Sequence, residues 1–222
     1  MEIKEIAHIR TPFNDKFGIP RQSGMADIPG RIVFCEKYRA KEALRGIEGF
    51  SHLWIIWGFS QSEEKHSLTV RPPRLGGNKR VGVFATRSPY RPNSLGLSSV
   101  RLTGVENTHE GTVLLVEGVD MADGTPVYDI KPYLSYTDSH PDARGSFADD
   151  ALAHRLNIVF SPGTESFFTK EMKDNVCDIL SLDPRPSYQD DPQRIYGVSI
   201  YDFDIRFTVD GDTLTVKEIK GK

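Results

Sequence analysis

Short apolar or alternating runs, separated by segments that contain glycine or proline, recur through the first 134 residues of this chain. Runs of this kind are typical of strands joined by turns. They lie at residues 3–9, 31–34, 52–59, 81–86, 100–105, 112–119 and 127–130. One segment among them, residues 38–47, has apolar side chains at helical spacing. The pattern predicts a β-barrel or curled sheet and argues against alternating βαβ units.

The pattern changes after Leu134. Residues 135–150 are polar and predict a linker, and residues 156–160 predict a strand. A helix is expected over residues 164–182, with the Thr164 hydroxyl as its N-cap. Residues 195–209 and 213–219 predict a hairpin that turns at Asp210-Gly211. We therefore expect a mainly β protein, with a β-barrel domain at residues 1–140 and a small α+β domain at residues 141–222.

Charge is distributed unevenly along the chain. The 222 residues include 28 basic and 31 acidic side chains, which gives a net charge of -3. Residues 65–105 nevertheless contain eight basic side chains, six of them arginines, and no acidic one. A solvated face is the ordinary interpretation of a charge run. Arginine, however, pairs with phosphate and stacks on bases better than lysine, so this local basic stretch predicts a phosphate or RNA partner.

Several classes of protein lack support in the sequence. Cys35 and Cys177 are far apart, and the six histidines have no ligand spacing, so we expect neither a disulfide scaffold nor a metal site. The chain has no G-x-G dinucleotide motif, no phosphate loop and no nucleophile elbow. Its N-terminus does not resemble a signal peptide, and no apolar run is long enough for a membrane helix. A soluble, cytoplasmic protein is therefore expected.

Three loops combine side chains suited to anions or nucleotides. Residues 71–78 present two arginines between prolines and glycines, and residues 86–97 combine arginine, serine, asparagine and tyrosine. Residues 120–126 form a turn with exposed carboxylates, although Asp-Gly and Thr-Pro are also ordinary turn chemistry.

Seven motifs in one order, between residues 6 and 134, resemble those of the TsaA-like (YaeB) family, which is also called TrmO. The motifs are Pro20-Arg21-Gln22, Phe50-Ser51-His52-Leu53-Trp54, Val70-Arg71-Pro72-Pro73-Arg74, Gly82-Val83-Phe84-Ala85-Thr86-Arg87-Ser88-Pro89, Arg91-Pro92-Asn93, Asp123-Gly124-Thr125-Pro126 and Asp129-Ile130-Lys131-Pro132-Tyr133. The segment Asp183-Pro184-Arg185-Pro186 and the final hairpin resemble the C-terminal domain of longer members.

The resemblance implies an S-adenosylmethionine-dependent tRNA methyltransferase built on a single-sheet β-barrel. It also implies a homodimer that binds the cofactor near the subunit contact. The expected reaction methylates the exocyclic nitrogen of threonylcarbamoyl-adenosine, beside the anticodon of certain threonine tRNAs.

Matching the motifs residue by residue assigns the cofactor contacts. They are Pro20, Arg21, Gln22, Ser60, Gln61, Arg87, Leu97, Met121, Ala122, Asp123 and Gly124. Asp123 is expected to hold ribose hydroxyls, and Arg87 the methionine carboxylate. Two positions depart from the family pattern: Ser60 stands where histidine is expected, and Ser94-Leu95 where Pro-Ile is expected.

A tRNA-facing basic patch is predicted at Arg71, Arg74, Arg80 and Arg91, with Lys131 at its margin. The attacked nitrogen is acylated, so it must lose a proton, and the sequence leaves Asp123, Asp129 and a carboxylate of the substrate as candidate acceptors. The alternative function is a non-catalytic RNA-binding β-barrel. A phosphate-ester hydrolase lacks any metal or nucleophile constellation.

Overall fold

The computed structural model describes residues 2–62, 65–72, 75, 78–151, 155–185 and 191–222. Strands dominate these residues, which confirms a mainly β protein. The strands are β1 (Ala7–Arg10), β2 (Pro29–Phe34), β3 (His52–Gly58), β4 (Thr69–Val70), β5 (Val81–Gly82), β6 (Leu95–Thr108), β7 (Gly111–Glu117), β8 (Thr125–Pro132), β9 (Asn157–Phe160), β10 (Tyr196–Ile200), β11 (Phe203–Asp210) and β12 (Thr213–Gly221). The α-helices are α1 (Ser135–Asp138) and α2 (Lys170–Ser181).

Short 3-10 helices connect several of these elements. They lie at Glu36–Tyr38, Lys41–Leu44, Ile47–Gly49, Val83–Ala85, Ser146–Ala151 and Thr164–Phe167. No helix in the described part of the chain is both long and apolar enough to cross a membrane.

Six strands of the N-terminal part form one closed barrel in the order β1-β2-β7-β6-β3-β8, in which β8 pairs back onto β1. All of these pairs are antiparallel. Strand β3 pairs with β6 on one side and β8 on the other. Its side chains alternate, so that Leu53, Ile55 and Trp57 are buried in the interior.

The C-terminal part contains a four-stranded sheet in the order β10-β11-β12-β9, with β9 parallel to β12. Helix α2 buries Val176, Ile179 and Leu180 in the same hydrophobic core. The Thr169 hydroxyl caps this helix by accepting a hydrogen bond from the Met172 N–H at 3.3 Å.

A long irregular segment, residues 11–28, lies against the C-terminal sheet. The Tyr201 N–H donates to the Pro12 carbonyl at 2.8 Å, and the Asn14 side-chain amide donates to the Tyr201 carbonyl at 2.7 Å. Arg155 donates to the Met25 carbonyl at 2.7 Å. A Cβ atom on Gly18 would overlap the Val198 side chain, so the two surfaces are in direct contact. This segment, which carries Pro20-Arg21-Gln22, is therefore held in place by the C-terminal sheet.

Two helix predictions are wrong in detail. Residues 38–47 do not form one helix but separate 3-10 turns, and within Lys41–Leu44 only Leu44 is buried. A short segment that buries so little gains too little from packing to offset the cost of helix nucleation. Thr164 is not the N-cap of α2, because its hydroxyl donates to the Ser161 carbonyl and extended Phe168 interrupts the helical conformation.

Two strand predictions also differ from the structure. The predicted strand at residues 81–86 ends after Gly82 and continues as a 3-10 turn, and the predicted hairpin is a three-stranded meander. Residues 195–209 are long for one strand, and the chain reverses at Tyr201, whose φ angle is 54°. Asp210-Gly211 does form the turn between β11 and β12.

Gly96 provides a test of barrel packing. It lies opposite Trp57 in the β3–β6 pair, and a Cβ atom there would overlap the indole ring. We expect Gly96→Ala to lower the free energy of unfolding by about 1–3 kcal/mol, because the indole must move. Gly82→Ala is the matched control, since a Cβ atom at that position meets nothing within 4 Å. Urea unfolding followed by tryptophan fluorescence measures both variants; equal stabilities would contradict the packing.

Candidate active site

A cavity of about 630 Å³ opens between one end of the barrel and the long segment. This volume is typical of a site for a small molecule the size of a nucleoside derivative. Its wall is formed by residues 16–22, the end of β3, residues 59–62, the loop before β6, the start of β6 and the turn before β8.

Nine of the eleven predicted cofactor residues line this cavity, although they are spread over 103 positions of the sequence. They are Pro20, Arg21, Gln22, Ser60, Gln61, Arg87, Leu97, Met121 and Ala122. The fold thus brings together residues from four separate motifs. The departures at Ser60 and at Leu95 both lie in the wall, so each changes the surface that a ligand meets.

Asp123 and Gly124 do not line the cavity. The Asp123 carboxylate pairs with Arg10 at 3.1 Å and accepts a hydrogen bond from the Thr11 N–H at 3.0 Å. Gly124 has a φ angle of +73°, which favours glycine, and its N–H donates to the Ile9 carbonyl at 2.8 Å. These contacts fasten the turn to the end of β1, and the predicted role of both residues in cofactor binding stays a prediction.

Asp120, which is not one of the eleven predicted cofactor residues, also lines the cavity. The Trp57 indole N–H donates to the Ser98 hydroxyl oxygen at 2.9 Å, and the Ser98 hydroxyl donates to Asp120 Oδ1 at 2.6 Å. A backbone hydrogen bond from Ser23 adds to this network. The missed signal is that two carboxylates occupy one irregular turn, where spacing alone does not show which of them points inward.

Burial disfavours ionisation of this carboxyl group. It raises the pKa of Asp120 from 3.8 to about 6, although the bonds from Ser98 and the backbone and the charge of Arg87 lower it. Arg87 itself donates to the Gln22 side-chain oxygen, which ties the loop before β6 to the long segment.

Aromatic rings form the apolar part of the wall. Trp57 and Phe59 are in contact, with ring centroids 4.3 Å apart, and Trp54 also faces the cavity. Flat apolar rings beside hydrogen-bonding groups are what an adenine ring or a modified purine requires.

The described residues of the predicted basic patch have different surroundings. Arg71 is exposed next to β4, and Arg80 packs across the β4–β5 pair by donating to the Thr69 hydroxyl at 2.9 Å. Arg91 lies in the cavity wall, where it donates to the Thr86 carbonyl at 3.0 Å and lies 5.9 Å from the centre of the Phe84 ring. Lys131 pairs with Asp129 at 2.9 Å. Arg74 lies outside the described residues.

These features define a class of protein: a mainly β enzyme scaffold with a polar and aromatic cavity at one barrel end. The model for the tRNA-methyltransferase O N-terminal domain matches residues 8–139, and that for the TrmO C-terminal domain matches residues 153–222. The chain therefore belongs to the tRNA-methyltransferase O family.

Individual relatives agree with this assignment. The chain is 40% identical, over 94% of its length and 93% of the relative's, to tRNA (adenine(37)-N6)-methyltransferase of Escherichia coli strain K12. It is also 40% identical to a putative S-adenosylmethionine-dependent methyltransferase, RcsF, of Pseudomonas aeruginosa, over 92% of this chain and 91% of that one. A crystal structure of TrmO from Pseudomonas aeruginosa superposes with a TM-score of 0.81 at 33% identity and covers 100% of this chain and 97% of that one.

The raised pKa of Asp120 makes a testable prediction about stability. The folded protein holds the Asp120 proton more tightly than the unfolded chain, so this group's contribution to stability falls as pH rises from about 4 through about 6. Asp120→Asn removes this pH-dependent decrease in stability, because asparagine does not ionise. The free energy of unfolding of the variant, minus that of the wild type, should rise by about 2–3 kcal/mol between pH 4 and pH 7. Urea unfolding at a series of pH values measures the difference, and parallel profiles would contradict the burial of an ionisable Asp120.

Proposed function

We propose that this chain transfers a methyl group from S-adenosylmethionine to the exocyclic nitrogen of threonylcarbamoyl-adenosine at position 37 of threonine tRNAs, beside the anticodon. The observation that carries the proposal is the 40% identity to a tRNA (adenine(37)-N6)-methyltransferase over nearly the whole of both chains. The cavity supports it, because residues predicted as cofactor contacts from four distant motifs converge there.

The residues present fit the proposed cofactor. S-adenosylmethionine supplies an activated methyl group on a sulfonium, next to a carboxylate, an ammonium and a nucleoside. The wall offers Arg21 and Arg87 for a carboxylate, backbone and amide groups of residues 20–22 and Gln61 for hydrogen bonds, and Trp57 and Phe59 for a flat ring. No group of three or more metal-ligating side chains occurs among the described residues.

Methyl transfer requires alignment more than covalent catalysis. A carbon–nitrogen bond forms while the sulfur–carbon bond breaks, and S-adenosylhomocysteine and a proton are the other products. The proton must leave the acylated nitrogen for attack to occur. Asp123 and Asp129 are absent from the described cavity wall and pair with Arg10 and Lys131 respectively. This favours the carboxylate of the threonylcarbamoyl group over Asp123 and Asp129 as the proton acceptor, with the chain holding the two reactants in line.

The proposal also covers domain organisation, oligomeric state and location in the cell. Residues 1–140 form the cofactor-binding β-barrel domain and residues 141–222 a separate small α+β domain. The protein acts on tRNA as a homodimer in the cytoplasm. Exposed Leu97, which lines the cavity on β6, supports a second subunit near the cofactor, because 56% of its surface is solvent-accessible in the single chain.

The methyl-transfer reaction is tested with isotope-labelled S-adenosylmethionine and tRNA prepared with or without the threonylcarbamoyl modification. We expect label only on the modified adenosine, identified by nucleoside mass analysis. Cofactor binding without label on either tRNA would show that the substrate is wrong. Absence of cofactor binding would instead favour the alternative, a non-catalytic RNA-binding β-barrel, for which the basic stretch at residues 65–105 is the supporting observation.

The exposed members of the basic patch predict a salt-dependent contribution to tRNA binding. We expect Arg71→Ala and Arg80→Ala each to weaken tRNA binding and to lower the slope of log affinity against log salt by roughly one. Lys217→Ala, an exposed charge on β12 of the small sheet, is the matched control. Filter binding at several salt concentrations measures the slope, with cofactor affinity determined in parallel. An equal loss of cofactor affinity would show that the variants disturb the cavity.

A further inference from the structure

The cavity wall has an unequal set of charges. Its charged side chains, among the described residues, are the cations Lys16, Arg21, Arg87 and Arg91 and a single carboxylate, Asp120. Burying a carboxylate costs free energy unless it is hydrogen-bonded or paired with a cation. Asp120 therefore requires an explanation.

The hydrogen bonds around Asp120 orient it without neutralising it. The chain from the Trp57 indole through the Ser98 hydroxyl ends on Asp120 Oδ1, and a backbone hydrogen bond from Ser23 adds to it. All of these donors are neutral. Arg87, the cation that lowers the pKa of Asp120, directs its hydrogen bond to Gln22 instead. The described part of the chain thus holds the carboxylate firmly and leaves its charge without a bonded cation.

The chemistry of the proposed cofactor matches this arrangement. An α-amino acid carries an ammonium and a carboxylate on one carbon atom, so its site requires an anion and a cation close together. An ammonium has three N–H donors for a carboxylate, whereas a sulfonium has none. Asp120 and Arg87 interact electrostatically across the same cavity.

Resting on the proposed function, we propose that Asp120 binds the α-ammonium of S-adenosylmethionine, with Arg87 beside it for the α-carboxylate. Asp120, rather than Asp123, is then the carboxylate that recognises the cofactor, and it recognises the methionyl end rather than the ribose. The hydrogen bonds from Ser98 and Ser23 position it for that contact.

Binding of an ammonium by Asp120 should depend on pH. Unliganded Asp120 has a pKa of about 6 and must ionise to pair with an ammonium, so affinity should fall as pH drops below that value. The other charged side chains of the described wall are Lys16, Arg21, Arg87 and Arg91. None of the described wall residues is a histidine. Among the described wall residues, Asp120 is therefore the carboxylate whose ionisation should change the affinity between pH 5 and pH 7.

Isothermal titration with three ligands tests the assignment. S-adenosylmethionine and S-adenosylhomocysteine carry the ammonium, while 5′-methylthioadenosine keeps the nucleoside and sulfur but lacks the amino acid. We expect Asp120→Asn to weaken binding of the first two by about 10–100-fold and to leave the third within about twofold, since one charged hydrogen bond is lost. Asp27→Asn, an exposed carboxylate of the long segment outside the cavity wall, is the matched control for net charge.

Each outcome separates the alternatives. An equal loss for 5′-methylthioadenosine would overturn the proposal and place Asp120 at the nucleoside, and unchanged affinities would exclude it as a ligand. Failure of the wild type to bind S-adenosylmethionine would instead overturn the proposed function. The wild-type pH profile provides a test without a variant: affinity for S-adenosylmethionine should decline toward tenfold per pH unit below about pH 6, while that for 5′-methylthioadenosine stays constant. A flat wild-type profile for S-adenosylmethionine would contradict the proposal.

Discussion

Pairing of β8 with β1 is the constraint on which the arrangement of the site depends. Because this pair closes the barrel, the turn that precedes β8 lies against the end of β1, where Asp123 and Gly124 bond to Thr11 and Ile9. Once the turn is fastened there, Asp120 at its other end lies at the cavity, within reach of Ser98 on β6. The position of Asp120 in the cavity wall thus depends on the pairing of β8 with the N-terminal strand β1.

The C-terminal sheet contributes to the same site without lining the cavity. Tyr201, between β10 and β11, and Arg155, just before β9, are hydrogen-bonded to Pro12, Asn14 and Met25. These bonds order a segment that has no regular structure of its own. An unsupported loop of that length is entropically costly to hold in one conformation. Because residues 16–22 of this segment form one wall, these contacts with the C-terminal part also help to fix the shape of the cavity.

Two carboxylates of one turn illustrate how environment sets chemical role. Asp123 is paired with Arg10, whereas Asp120 accepts its hydrogen bonds from neutral donors, and burial raises its pKa to about 6. The basic side chains of the predicted patch also differ in their surroundings. Lys131 is paired with Asp129, while Arg71 is exposed on the acid-free stretch. Charge along the sequence therefore overstates the extent of the basic patch, since only the folded chain shows which cations are already paired.

Local pattern determined much of this protein. Alternation and turn residues indicated a mainly β chain in which residues 52–59 form a strand. Linked motifs indicated the family and nine residues of the cavity wall. Both kinds of signal depend on neighbours in the sequence. Tertiary structure alone decided the rest. Residues 38–47 do not form one helix, because within Lys41–Leu44 only Leu44 is buried and packing gains little. Asp120 lines the cavity and Asp123 does not, because the pairing of β8 with β1 places Asp123 against the end of β1. Both outcomes depend on which distant residues surround a side chain, which spacing along the chain does not encode.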